Sequence, residues 1–387
     1  MDDGYIYLDH AATTYMFPEV KEAMESVSGP TNPSSLNRYG KDARRLIENA
    51  RLQVAEFLNA DSDDIIFTSG CTEANNIVLN SLGQGYDLIC SSVEHHSVLE
   101  NVRFNNDCLE EGDFFLKVEK DGSVSPATLE KMLRENTRPY SFHAASIMMV
   151  NNELGTINDI KTLTEIADDF WCPVHTDATQ AVGHIPVDVK DLGMDYLTFS
   201  GHKIGGPMGV GVIYERTHKY LKDFKSIFGG EQEHGVRPGT ENVPAIVGLG
   251  VACEIAGRKL ESMQSKNRML REKFLATLRK ELSVAFKING SSSNNSMNIV
   301  SLTIPGYNAE ALAFALDVNG LAVSTGSACS SGQKSHVLKA IGLSEEDVAG
   351  TLRISFGWNT REDEVIEAAK RIANAVKTLD SITAGEV

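Results

Sequence analysis

Lys203 closes the run Ser200-Gly201-His202-Lys203, directly after the apolar, strand-like Asp195-Tyr196-Leu197-Thr198-Phe199. Upstream, Asp177 opens Asp177-Ala178-Thr179-Gln180 behind a second run of this kind. A lysine amine becomes a useful nucleophile when its surroundings lower its pKa, and a lysine carrying pyridoxal phosphate as a Schiff base needs an acidic partner for the pyridine nitrogen. The two residue types suit that chemistry. A solvated surface lysine and an ordinary strand-end aspartate are the competing reading of the same residues.

Four further constellations have a chemical interpretation. Thr68-Ser69-Gly70-Cys71-Thr72-Glu73 follows a strand-like run and opens a helix, so its backbone N–H groups suit a phosphate, with the Thr72 and Ser200 hydroxyls as added donors. An ordinary hydroxyl N-cap is the alternative. Val93-Glu94-His95-His96 places two rings on opposite sides of an extended segment, which makes a poor metal chelate. One of them suits stacking on a flat cofactor and proton transfer near neutral pH, against a purely structural role. Cys329 lies among small residues in Ser324-Thr325-Gly326-Ser327-Ala328-Cys329-Ser330-Ser331-Gly332, where exposure and a reducing compartment make a thiol a candidate nucleophile, unlike Cys90 and Cys253 in apolar runs. Arg353, inside an otherwise apolar strand-like run, needs an anion, either a substrate carboxylate or a structural salt bridge. Gly205-Gly206-Pro207-Met208-Gly209 lacks the lysine and hydroxyl of a P-loop and reads as a turn beside Lys203.

The elements that must position these groups alternate. From Ile65 onward, Ile65–Thr68, Leu88–Cys90, Ser146–Val150, Val174–Asp177, Tyr196–Phe199 and Val210–Tyr214 are strand-like and separated by helical stretches. This pattern predicts an α/β fold with a mainly parallel sheet, and the candidate chemistry falls at the carboxyl ends of its strands, where such sheets bind ligands. A helix is expected over about Ala245 to Leu282. Strands at Asn298–Ile304, Leu321–Ser324 and Thr351–Phe356, with helices near Glu310, Glu345 and Glu364, then predict a smaller α+β unit.

The 387 residues carry a formal charge of −17, which argues against a nucleic-acid binder, since phosphate contact requires clustered Lys and Arg. Six cysteines without a C-x-x-C pair disfavour zinc and disulfides, so no metal is expected. The acidic start Met1-Asp2-Asp3-Gly4 and the lack of a long apolar run predict a soluble, untargeted, cytoplasmic protein that does not enter a membrane.

Taken in order along nearly the whole chain, these segments resemble the cysteine desulfurases of the class V aminotransferase group, pyridoxal-phosphate enzymes of fold type I. Besides the runs above, the resemblance is carried by Tyr7-Leu8-Asp9-His10-Ala11-Ala12-Thr13-Thr14, Asn32-Pro33-Ser34-Ser35, Asn151-Asn152-Glu153-Leu154-Gly155, Arg237-Pro238-Gly239-Thr240 and Arg353-Ile354-Ser355. It implies a large cofactor-binding domain over 15–257 and a small α+β domain made of 1–14 plus 258–387. Lys203 would carry the cofactor and move protons, Asp177 would pair with the ring nitrogen, and His95 would stack on the ring. Gln180 and Asn152 would contact the phenolic oxygen or the substrate. Thr72, Ser200 and His202 would hold phosphate, joined by Thr240 from the neighbouring subunit of a homodimer. Arg353 and Asn32 would hold the carboxylate of L-cysteine, and Cys329 would take the sulfur as a persulfide and pass it to an acceptor protein serving iron–sulfur clusters or tRNA thiolation. A selenocysteine lyase, an alanine-forming transaminase and a non-catalytic sulfur-assembly protein are the alternatives on the same scaffold. Pro238 and Cys71 stand where many members have other small residues, and the stretch after Cys329 is slightly shorter than in the long-loop subfamily.

Overall fold

Runs such as Ile65-Ile66-Phe67-Thr68 and Tyr196-Leu197-Thr198-Phe199-Ser200 bury every side chain, as strands do when helices cover both faces of their sheet. The computed structural model describes residues 4–106, 114–135, 142–216, 220–325 and 334–384. Its strands are β1 (Ile6–Tyr7), β2 (Ile65–Thr68), β3 (Asp87–Ser91), β4 (Phe115–Leu116), β5 (His143–Ser146), β6 (Val174–Asp177), β7 (Tyr196–Ser200), β8 (Gly211–Glu215), β9 (Lys287–Asn289), β10 (Ile299–Thr303), β11 (Leu321–Ala322), β12 (Ser324–Thr325) and β13 (Thr351–Ser355). A seven-stranded sheet has the order β2-β8-β7-β6-β5-β3-β4, parallel from β7 to β4, with β8 antiparallel to both neighbours. A four-stranded antiparallel sheet has the order β12-β13-β10-β9, and β1 pairs with β11.

The expected strand Ser146–Val150 is displaced, because β5 covers His143–Ser146. His-Ala-Ala carries little strand signal, whereas the apolar residues beyond it only extend the pairing, through Ile147 and Met149 N–H groups on the His175 and Asp177 carbonyls at 3.0 and 3.1 Å. The expected strand Leu321–Ser324 divides into β11 and β12, whose partners lie in different sheets. β1, β4 and β9 have no counterpart among the expected strands.

Most buried apolar side chains between Phe17 and Ile255 form one cluster, a second joins Ile6 and Leu8 to residues from Leu270 to Val376, and a small third joins Val93 and Leu154 to Val337, Leu338, Ile341 and Val348. The 39-residue helix Val243–Glu281 feeds both, with Val243, Ile246, Leu249 and Ile255 in the first and Leu270, Phe274 and Leu278 in the second. No helix among the described residues is long and apolar enough to cross a membrane.

One buried ion pair fastens the helix Arg38–Leu58 to the strand that leads into the site. Arg51 reaches Glu233 with two bonds of 2.7 and 2.8 Å and the Ile65 carbonyl at 2.7 Å, while Glu233 also accepts from the Phe67 N–H at 2.7 Å. Removing one partner strands the other charge in the interior. Glu233→Ala is therefore expected to lose about 3–5 kcal/mol of stability in chemical denaturation.

Candidate active site

Several carboxyl strand ends and the start of one helix open onto a single cavity of about 480 Å³. The turn after β2 forms one side. Gly70, at φ 156° and ψ 173°, is the N-cap of the helix Cys71–Leu82 and has no side-chain cap, so the hydroxyl-cap reading of this motif is corrected. Few residues other than glycine reach that conformation. It leaves the first N–H groups of the helix beside the cavity, and the positive end of a helix attracts anions. Gly211 of β8 permits the close approach, since a Cβ there would lie 2.6 Å from the Gly70 carbonyl carbon. Thr72, Ser200 and His202 line the same end. Glu73, which the sequence reading passed over, accepts from the Ser69 N–H at 2.5 Å and pairs with Arg237 at 3.0 Å, bringing the Arg237-Pro238-Gly239-Thr240 segment against the cradle.

Asp177 ends β6 and Lys203 follows β7 in a short 3₁₀ turn, and both line the cavity. The Lys203 Nζ donates to the Ala11 and Ala12 carbonyls at 2.6 Å each, and the Gln180 amide donates to the Ala11 carbonyl at 2.9 Å. Burial works to raise the pKa of Asp177, but hydrogen bonds from Asn75 and the Thr179 N–H, with the nearby His95, hold it below the usual carboxylate range. His95 caps the helix His96–Asn105. Its Nδ1 accepts from the Ser97 N–H at 3.1 Å, so the ring proton of the neutral form sits on Nε2. Burial depresses this imidazole, with Lys203 and His96 acting the same way against Asp177.

Arg353, from β13, completes the cavity with a guanidinium that is both paired and incomplete. Its Nη2 meets Asp9 at 2.9 Å and its Nη1 the Asn152 carbonyl at 3.2 Å, while the buried Nε has no partner among the described residues. Asn152 lines the cavity as well. Asn32 is not among the lining residues; its side-chain oxygen accepts from the Ser34 N–H at 3.0 Å. Thr240 is exposed and outside the lining, and Cys329 lies outside the described residues.

Comparison with known proteins gives the family. The family model for class-V aminotransferases matches residues 6–367. A cysteine desulfurase IscS of Dictyoglomus turgidum is 40% identical over 97% of this chain and 96% of its own length. The chain belongs to the cysteine desulfurase family. Another member, the IscS of Methanosarcina thermophila, is 39% identical over 98% of this chain and 95% of its own. Among solved structures, a NifS-like protein from Rickettsia africae superposes with a TM-score of 0.86 at 33% identity, covering 96% of this chain and 99% of that one. The protein SspA, solved in complex with cysteine, superposes with a TM-score of 0.77 at 33% identity over 91% of this chain and 98% of that one.

Cysteine desulfurases and their class work with pyridoxal phosphate, and the cavity suits that molecule on its own observations. Its size lies within the range of small-ligand pockets. Its lining brings together a helix start without a side-chain cap, a carboxylate held below its usual pKa, a lysine amine and an arginine. Burial also pushes the thiols of Cys71, Cys90, Cys172 and Cys253 upward, helped at Cys71 by Asp177 and at Cys90 by Glu94. None of these four is a thiolate near neutral pH.

Glu94, beside His95 in sequence, is fully buried, and burial pushes its carboxyl up to about 8 against bonds from the Ser91 hydroxyl and the Met148 N–H. Between pH 4.5 and about 8 the folded chain keeps a proton that the unfolded chain releases, so stability falls as pH rises through that window. Glu94→Gln is expected to remove a slope of about 1.4 kcal/mol per pH unit, read from denaturation midpoints on either side of neutrality.

Proposed function

We propose that the protein is a pyridoxal-phosphate cysteine desulfurase that converts L-cysteine to L-alanine and places the sulfur on Cys329 as a persulfide. An acceptor protein for iron–sulfur cluster assembly or tRNA thiolation then takes it. The observation that carries this reading is the convergence of Lys203, Asp177, His95 and Arg353 on one cavity. On this reading the enzyme is a cytoplasmic homodimer in which 15–257 bind the cofactor, while 1–14 and 258–387 form the smaller unit that bears Cys329.

Pyridoxal phosphate, when bound, supplies an aldehyde that links to amines and a ring that draws electrons from the carbons of an attached amino acid. The helix start at Cys71, with Thr72, Ser200 and His202, would hold the phosphate, and Thr240 of a second copy would add a donor. Asp177, kept ionised, would pair with the ring nitrogen. His95 would stack on the ring, and Gln180 and Asn152 would hydrogen-bond at its oxygen or at the substrate. Lys203 provides the amine for attachment, then takes and returns the proton at the substrate α-carbon. Arg353 would offer guanidinium N–H groups to the substrate carboxylate, with Asn32 as a second donor. The Cys329 thiolate bonds to the substrate sulfur as the Cβ–S bond breaks, and the released carbon fragment takes up a proton to become alanine.

The test is a paired assay of alanine and sulfide from L-cysteine with a thiol reductant present. Equal amounts of the two support the reading. The sulfur-bearing 2-oxo acid in place of alanine identifies a transaminase, and no product at all from cofactor-loaded protein identifies a non-catalytic family member.

A further inference from the structure

Behind Asp177 lies a line of polar side chains that the proposed chemistry does not use. Alternation along β6 sets His175 on the same face as Asp177, one deep in the sheet and one at its end. The register brings Ser146 of β5 beside His175 and Thr198 of β7 beside Asp177. Asn75, one turn into the helix Cys71–Leu82, closes over this face. Ser146, His175, Thr198 and Asn75 are each at most 1% exposed, so they must satisfy one another.

The bonds run in one direction. An ionised carboxylate only accepts, so the Asn75 Nδ2 donates to Asp177 Oδ2 at 2.9 Å, and its other hydrogen goes to the Ser97 hydroxyl at 2.9 Å. The Asn75 Oδ1 therefore faces Thr198 and accepts its hydroxyl hydrogen at 2.5 Å. With that hydrogen committed, the Thr198 oxygen must accept from His175 Nε2–H at 3.0 Å. Burial depresses the pKa of His175 and keeps it neutral, which leaves Nδ1 bare to accept from the Ser146 hydroxyl at 2.8 Å. Each assignment forces the next, and the last acceptor is Asp177.

We propose that Ser146, His175, Thr198 and Asn75 form a one-way hydrogen-bond relay that fixes the Asp177 carboxylate at the cavity wall, making Asn75, Thr198 and His175 positioning residues for the cationic nitrogen that Asp177 pairs with. This rests on the proposed role of Asp177 toward the cofactor ring. The Thr179 N–H, at 2.9 Å, also holds the Asp177 carboxylate. A chain of buried bonds polarises along its length, so the relay acts at Asp177 from a histidine that does not touch the cavity. The same interior excludes water that would replace a lost member.

Two readouts test this, neither of them turnover. In cofactor-free protein labelled with ¹⁵N-histidine, the His175 resonances, assigned by His175→Gln, are expected to show a neutral ring protonated on Nε2 alone. Asn75→Leu frees the Thr198 hydroxyl to donate to His175, and the single tautomer is expected to be lost. A native ring protonated on Nδ1, or one that Asn75→Leu leaves unchanged, overturns the relay. For the cofactor, Thr198→Val keeps the side-chain shape without the hydroxyl and is expected to weaken pyridoxal phosphate binding about tenfold in equilibrium dialysis, the scale of one buried hydrogen bond. Thr198→Ser keeps the hydroxyl and is expected to bind like the native protein. Equal affinities for the two variants refute the positioning role. Native protein that does not bind pyridoxal phosphate refutes the proposed function instead, and the ¹⁵N measurement still decides the relay.

Discussion

Lys203→Ala will lose alanine formation from L-cysteine by about 10³-fold or more, within the range measured when a positioned proton carrier is removed. The lysine is held at the end of β7 by two carbonyls of the Ala11-Ala12 turn, and no other lysine lines the cavity among the described residues. Lys203→Arg will be as inactive, because a guanidinium keeps its proton near neutral pH and cannot form the covalent link. Single-turnover alanine assays on both variants, with cofactor content measured in the same samples, give the result. Activity within tenfold of the native protein in either variant would remove Lys203 from the centre of the mechanism.

Cys329→Ala will release sulfide from cysteine on the order of 10³-fold more slowly, since loss of the nucleophile disables the step that breaks the Cβ–S bond. The remaining described cysteines offer no substitute. Cys71 lines the cavity, but burial and the Asp177 charge keep its thiol protonated, and Cys90, Cys172 and Cys253 are buried away from solvent. Cys329→Ser will be no better, because a hydroxyl does not attack sulfur. Cysteine will still change the visible absorbance of the bound cofactor in both variants, because Arg353 and Lys203 are untouched. Native sulfide release from Cys329→Ala would refute the persulfide route.

Most of this site was legible because its groups follow local punctuation. Asp177, Ser200 and Lys203 stand just past apolar runs, and Gly70 stands between a strand and a helix, so their place at one edge of a parallel sheet follows from the order of elements. The pairings were not legible. Arg353 meets Asp9 across 344 residues, and the sequence alone left open whether it served a substrate or a salt bridge; in the structure one face is paired while Nε is not. Asn75 reads as an ordinary polar residue of a helix, and only the packing of that helix over β6 and β7 places its amide against Asp177 and Thr198, 102 and 123 residues away. β4 and the early start of β5 escaped for a local reason, since a two-residue strand and a His-Ala-Ala segment carry almost no strand propensity.

The central claim is tested most directly by quenching the cofactor-loaded protein after one turnover with L-cysteine, without reductant, and analysing the peptide that contains Cys329 by mass spectrometry. One added sulfur atom on Cys329 and one alanine released per modified chain are expected. Alanine released with Cys329 unmodified, or the added sulfur found on another cysteine, would contradict it.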